Sequence, residues 1–313
     1  MAQNLSTTRY LLSVGGGALR LWEKQRGLVA EVPSCAVVDK ETGELKLYGE
    51  EAAELEGKIP SHLEFVRVWS GDKIMDRDLL RSLLRYLLSI NTLSWHERYQ
   101  RMIQTTLVVP ETVPPLHLKW LRKTAREAGW LLTPTVPMAK AYIQRQNKPS
   151  SLIQSVLDIG FTTARLVVVV GDEVVLASAA EQLSMQSYCD LLAEYLLSEH
   201  ALEVSPSVFY DQMWQQSCWM FNQSEQSPQQ YAPTAKDLKA VNKPYQIAVG
   251  QFVKSQLQRL TDSQQAELQR QGMYLIGGGA GLLAEDLISW PLPLKRTSDA
   301  RYAVLRALSQ TKK

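Results

Sequence analysis

Three glycine-bearing turns in this 313-residue chain could do chemistry. They are Gly15-Gly16-Gly17, Gly160 with Thr162 and Thr163, and Gly277-Gly278-Gly279, and each follows an apolar run that reads as a strand. Glycine has no Cβ, so its backbone can approach a phosphate closely, and the N–H groups of the turn can then donate to the phosphate oxygens. One such turn is ordinary. Two on similar hairpins and a third before a helical pattern point to a nucleotide cleft between two lobes. None is a P-loop, since GxxxxGK followed by Ser or Thr does not occur, and the glycine spacing does not suit a dinucleotide fingerprint. Asp158 ends its strand just before Gly160. A carboxylate there could hold a hydrated Mg²⁺ beside phosphates, or it could cap the turn. The residue alone leaves both readings open.

Other chemistries find little support. His62, His96, His117 and His200 are scattered, with no zinc-ligand spacing, and His117 reads as a surface residue of a helix. Cys35, Cys189 and Cys218 are far apart and form no CxxC, so ordinary buried thiols in a reducing compartment are expected. No GxSxG elbow occurs. Lys119, Arg122, Lys123 and Arg126 have helical spacing and read as a solvated helix face. Lys plus Arg is 34 against 32 for Asp plus Glu, a net charge of +2, which gives no electrostatic case for nucleic acid. The amino terminus is polar, and the apolar run at LVVVV is too short to span a bilayer. A cytoplasmic protein is the expectation.

The elements that must hold these turns are legible as patterns. YLLSV (10–14) and ALRLWEK (18–24) read as strands around the first turn. VAEVPSCAVVD reads as one strand, KETG as a turn and ELKLYG as the next strand. Helices are expected at 49–57, 76–90, 114–129 and 137–147, with strands at 105–110 and 131–136 between them. The opening pattern then recurs about 145 residues later, an internal duplication rather than a short-period repeat. Its second copy has strands at 155–160, 163–170 and 174–180 and a helix at 187–200. Residues 214–233, rich in Gln and Ser, read as an irregular insertion, 246–271 as one helix, and 298–310 as a closing helix.

With these motifs in order, the chain resembles the MreB family of bacterial actin-like proteins. LSVGGGALRLWEKQRGLVAEVPSCAVVDKETGELKLYGEEAAELEGK is similar to the family's opening, and the likeness continues over residues 10–90. VPETVPP (109–115) and EAG (127–129) fit the family's next junctions. DIGFTT (158–163) is similar to the family's second phosphate loop, DIGGGTT, with one residue missing. LIGGGAGL (275–282) is similar to its adenosine loop, LTGGGALL. The resemblance implies an α/β, actin-like two-lobed fold with duplicated βββαβα (ribonuclease H-like) subdomains. It implies lobe I at 1–148, with the closing helix 298–313 packed back on it. Lobe II would be 149–297, with a small subdomain shortened to about 201–245.

The departures bear on activity. The family's first phosphate loop reads DxGTxNT, where this chain has Ser13-Val14-Gly15-Gly16-Gly17-Ala18-Leu19. The family's EPMAAAIG, whose Glu helps activate the attacking water, becomes Val136-Pro137-Met138-Ala139-Lys140. GDxxD is replaced by LSMQSY, and the helix that flanks the ribose by VFYDQMWQQ. The resemblance thus implies an ATP site held by Gly15–Gly17, Asp158, Gly160, Thr162, Thr163 and Gly277–Gly279. Asp158 is the one family Mg²⁺ ligand kept, so ATP and Mg²⁺ binding are expected to be weak or absent. Phosphoryl transfer depends on charge neutralisation and a positioned water, so the lost acids imply little or no ATPase. A cytoskeletal or scaffold protein of cell shape or intracellular organisation is expected. Alternatives are an active filament-forming ATPase, with Asp72, Asp76 or Glu111 replacing the lost acids, and a non-polymerising adaptor like PilM or FtsA. Expected partners are further copies, a related filament or membrane-associated proteins at the inner face of the cell membrane. Met102-Ile103, near Trp95 and Tyr99, falls where the family has a membrane-touching loop, or else begins a buried strand.

Overall fold

The computed structural model describes residues 10–90, 103–132, 135–146, 152–206, 209, 221–224, 227–231, 233–283 and 289–310. The chain divides into two compact units, one of residues 1–152, 167–177 and 302–313, the other of residues 153–166 and 178–301.

In the first unit, apolar alternation makes β1 (Tyr10–Val14) and β2 (Ala18–Glu23) an antiparallel pair, with Leu12 opposite Leu21. Strand β3 (Gly27–Pro33) continues the meander. The stretch expected as one strand is two, because Pro33 lacks an N–H and the chain turns at Ser34. Strand β4 (Cys35–Asp39) leaves for a separate three-stranded sheet with β5 (Leu45–Tyr48) and β6 (Leu63–Arg67). Helix α1 (Glu50–Glu54) and a two-stranded ribbon, β7 (Trp69–Ser70) with β8 (Lys73–Ile74), complete this region.

Helix α2 (Arg77–Ser89) buries Leu79, Leu80, Leu83, Leu84 and Leu87. Each such leucine contributes about 1.5–3 kcal/mol relative to exposure, so this face decides where the helix sits. Strand β9 (Ile103–Val109) runs parallel to β1. Helix α3 (Pro115–Glu127) starts on a proline, and β10 (Trp130–Leu132) and β11 (Val136–Pro137) both pair with β9 in parallel. Helix α4 (Met138–Arg145) follows. Trp95, Tyr99 and Met102 lie outside the described residues, and Ile103 opens β9.

The second sheet holds β12 (Ile153–Ile159), β13 (Ala164–Val170), β14 (Glu173–Ala180), β17 (Met273–Ile276) and β18 (Leu294–Arg296). Between them come α5 (Met185–His200), a hairpin of β15 (Phe221–Ser224) and β16 (Ser227–Tyr231), α6 (Ala235–Leu257) and α7 (Asp262–Gln271). The insertion read as irregular thus contains paired strands. Of VFYDQMWQQ, only Phe209 is among the described residues. The single helix expected over 246–271 is two. Thr261 accepts from the Gln264 N–H while the Gln264 side chain accepts from the Thr261 N–H, and this reciprocal cap starts a new helix. Helix α8 (Ala303–Ser309) returns to the first unit and packs on α4.

The two sheets share a strand order. In the first it is β10-β9-β1-β2-β3 and in the second β18-β17-β12-β13-β14, third-second-first-fourth-fifth in each copy when read from the meander edge. In both, the two later strands run parallel to the first. This is the duplication seen in the sequence pattern.

Candidate functional site

The equivalent turns of the two copies are closed by the same bond. The Gly15 N–H donates to Ala18 O at 3.1 Å, and the Gly160 N–H donates to Thr163 O at 2.9 Å. A side chain at Gly160 would meet that Thr163 oxygen at 2.8 Å and Arg165 Nη1 at 3.0 Å, so the tight turn needs glycine there. In the first unit, Ser34 clamps the turn: its Oγ donates to Gly15 O at 2.6 Å and its N–H to Gly17 O at 3.1 Å. Gly16 is buried, while Gly15 and Gly17 are half-buried. In the second unit, the N-terminus of α5 holds the turn, with the Met185 N–H on Gly160 O at 3.0 Å and the Gln186 N–H on Phe161 O at 2.9 Å.

The second unit also brings two of the predicted loops together. Gly277 has φ 89°, and a Cβ on it would run into Asp158 Oδ1 and the Ile159 carbonyl. A Cβ on Gly279 would run into the Ile159 side chain. Gly278 begins the short 3₁₀ turn that carries the loop away. Asp158, Gly160, Thr162, Thr163 and Gly277–Gly279 therefore form one interlocked group. Gly15–Gly17 form another, in the first unit.

Within that group Asp158 is 6% exposed, and its Oδ2 accepts from Arg165 Nη1 at 2.7 Å. Arg165 is equally buried. The sequence reading missed this arginine, although the 145-residue offset held the signal: Asp158 and Arg165 correspond to Ser13 and Arg20. Ser13 and Arg20 face each other across β1 and β2. With no acid at Ser13, Arg20 turns instead to Glu31 on β3, donating through Nε and Nη2 at 3.0 Å.

The Thr162 and Thr163 hydroxyls are buried and have no hydrogen-bond partner among the described residues. An unpaired buried hydroxyl costs about 1–3 kcal/mol, so the turn suits a ligand that brings acceptor oxygens, as a phosphate does. It does not suit a divalent cation. The carboxylate of the turn, Asp158, is already bonded to the Arg165 guanidinium.

The acids offered as replacements at Ser13 and Val136 have other partners. Val136 is buried in β11 beside Val108. Glu111 caps α4, accepting from the Ala139 N–H at 3.2 Å and the Lys140 N–H at 2.8 Å. Asp72 is buried with φ 60° and accepts from the Thr112 hydroxyl. Asp76 caps α2, accepting from the Asp78 N–H at 2.8 Å and the Leu79 N–H at 2.9 Å. Asp76→Ala should therefore lower stability by about 1 kcal/mol in urea titration, and an unchanged midpoint would count against the capping role.

His117 is not a plain surface residue: its Nδ1 accepts the Ile74 N–H at 3.0 Å. Lys119, Arg122, Lys123 and Arg126 are exposed, as expected of a solvated face. Burial pushes the Cys35 thiol up to about 12, so it offers no thiolate near neutral pH, and Cys189 is buried too. A separate cavity of about 260 Å³ lies between α5 and α6, lined by Leu183, Leu191, Tyr195, Val241 and Pro244, and none of the predicted site residues reaches it. No helix among the described residues is long and apolar enough to cross a membrane.

Comparison with known proteins finds similar sequences and similar folds. The sequence profile of the family described as MreB/Mbl protein matches residues 11–207. The cell shape-determining protein Mbl of Bacillus subtilis is 21% identical over 306 residues, covering 88% of this chain and 88% of that protein. Mbl of Bacillus cereus is 24% identical over 118 residues, 38% of this chain and 34% of that protein. Among solved structures, MreB5 of Spiroplasma citri bound to ADP superposes with a TM-score of 0.79 at 18% identity, covering 96% of this chain and 95% of that one. The same protein bound to AMPPNP gives 0.78 at 18% identity, with the same coverage. The MamK double helical filament gives 0.68 at 14% identity, covering 96% of this chain and 97% of that one.

Proposed function

The chain belongs to the MreB/Mbl family and has its actin-like fold, and from that premise we propose a nucleotide-binding cytoskeletal protein that hydrolyses ATP slowly or not at all. The observation that carries the reading is the interlocked Asp158–Thr163 and Gly277–Gly279 loops, with two buried threonine hydroxyls in want of acceptors. Spiroplasma citri MreB5, which shares the fold, has been seen with ADP and with AMPPNP. In this chain the phosphates would lie against the Gly160–Thr163 turn, with Thr162 and Thr163 donating to them.

Weak hydrolysis follows from charge. Ser13 and Val136 stand where the family carries acids, and Asp72, Asp76 and Glu111 are engaged in holding the fold. Losing one preorganised group of this kind typically costs about 10²–10³-fold in rate, and two are gone here. The nucleotide then acts as a structural ligand of a filament subunit. The chain would assemble with copies of itself in the cytoplasm, at the inner face of the membrane where partners hold it there. The test is titration with a fluorescent ADP analogue beside phosphate release from ATP and pelleting of polymer. Saturable binding, polymer and phosphate release at the level of the buffer blank are expected. Absence of binding at saturating nucleotide, or turnover well above the blank, overturns the reading.

A further inference from the structure

We infer that Arg165 is the built-in countercation of the phosphate turn, so that nucleotide binds this chain without a divalent metal. The inference rests on the nucleotide reading above. Its own grounds are the position and burial of a single ion pair.

The Asp158 carboxylate is enclosed on both oxygens. Oδ2 accepts from Arg165 Nη1 at 2.7 Å, a charge-assisted bond of the shorter kind. Oδ1 lies against the Gly277 backbone, where even a Cβ would not fit. The side chains are 7% exposed for Arg165 and 9% for Asp158, so water screens the pair poorly. A divalent ion approaching this carboxylate would meet a fixed positive charge in a medium where like charges repel strongly. It would also have to break a buried charge-assisted bond of 2.7 Å between the guanidinium and the carboxylate. Mg²⁺ is ordinarily held by one or two carboxylates together with substrate phosphates, and here that carboxylate is taken.

Arg165 does more than block. Its guanidinium is held by the acid that leads into the turn. The group sits beside the Gly160–Thr163 turn, since a Cβ on Gly160 would lie 3.0 Å from Arg165 Nη1. It thus cancels the charge of the acid of the turn, so that phosphates would meet a neutral pair and not a bare carboxylate that a metal ion would have to offset. The duplicated copy argues against accident. Arg20 occupies the equivalent strand position and, with Ser13 in place of the acid, takes Glu31 as partner instead. An arginine on this strand finds a carboxylate in each copy, and only in the second is it the acid of the phosphate turn.

The test is titration of the whole chain with a fluorescent ADP analogue in EDTA and in Mg²⁺, repeated with Arg165→Lys and Arg165→Met. The expected result is equal affinity, within about twofold, in EDTA and in Mg²⁺ for the wild-type chain and for Arg165→Lys. Arg165→Met should bind at least about tenfold more weakly in EDTA and recover part of the loss with Mg²⁺, because Asp158 is then released to a metal. Wild-type binding that is at least about tenfold weaker in EDTA overturns the inference and leaves the nucleotide reading standing. No binding in either buffer overturns both. Should Arg165→Met fail to fold by circular dichroism, the wild-type comparison decides alone.

Discussion

Asp158→Ala is expected to lower the stability of the second unit by about 3–5 kcal/mol, the range for removing one partner of a buried ion pair. The alanine leaves the Arg165 guanidinium enclosed with its carboxylate gone, and 7% exposure gives water little access to it. An acid that merely capped an exposed turn would cost about 1 kcal/mol, so urea titration followed by tryptophan fluorescence separates the two roles. The double variant Asp158→Ala/Arg165→Met should regain most of the loss, because an apolar pair in a buried site is often as stable as the ions it replaces. A single-variant loss near 1 kcal/mol, or a double variant no better than the single, would show that the pair is not what holds this turn.

Gly277→Ala is the second large effect. The backbone at φ 89° disfavours any side chain, and the new methyl would be driven into the Ile159 carbonyl, which is backbone, and into Asp158 Oδ1, which the bond to Arg165 holds in place. The left-handed conformation costs about 1–2 kcal/mol and the crowding about 1–3 kcal/mol more. Gly281→Ala, four residues on, is the matched control: its Cβ meets nothing within 4 Å and its φ is not positive. Thermal unfolding should show a fall of several degrees for Gly277→Ala and almost none for Gly281→Ala. Equal midpoints for the two would mean that the loops are not interlocked as described. Because the methyl would press on Asp158, the same variant should also weaken nucleotide binding.

Much of this architecture is legible in the amino-acid order. Leu79, Leu80, Leu83, Leu84 and Leu87 announce α2 by their spacing, and their burial follows from it. The strand–glycine–strand pattern at Gly15 and again at Gly160 announces the duplication, since a tight turn between two apolar strands is a local matter. Those features depend on neighbours a few residues apart, which is the range over which periodicity and turn chemistry speak. The breaks at Ser34 and Thr261 were less visible. Ser34 ends a strand because its hydroxyl and N–H find the carbonyls of a turn 17 and 19 residues earlier. The partners of the buried and capping charges were hidden. Arg165, in the apolar stretch that ends in LVVVV, looks like any strand residue, and Glu111 looks like a loop acid. Which carboxylate a guanidinium meets, and which helix end a carboxylate caps, depends on strand register and helix placement, which come from packing across the whole unit. The order of residues therefore named the scaffold and its glycine turns. Folding chose the charge partners, because the low-dielectric interior that makes such pairing strong exists only once the strands have met.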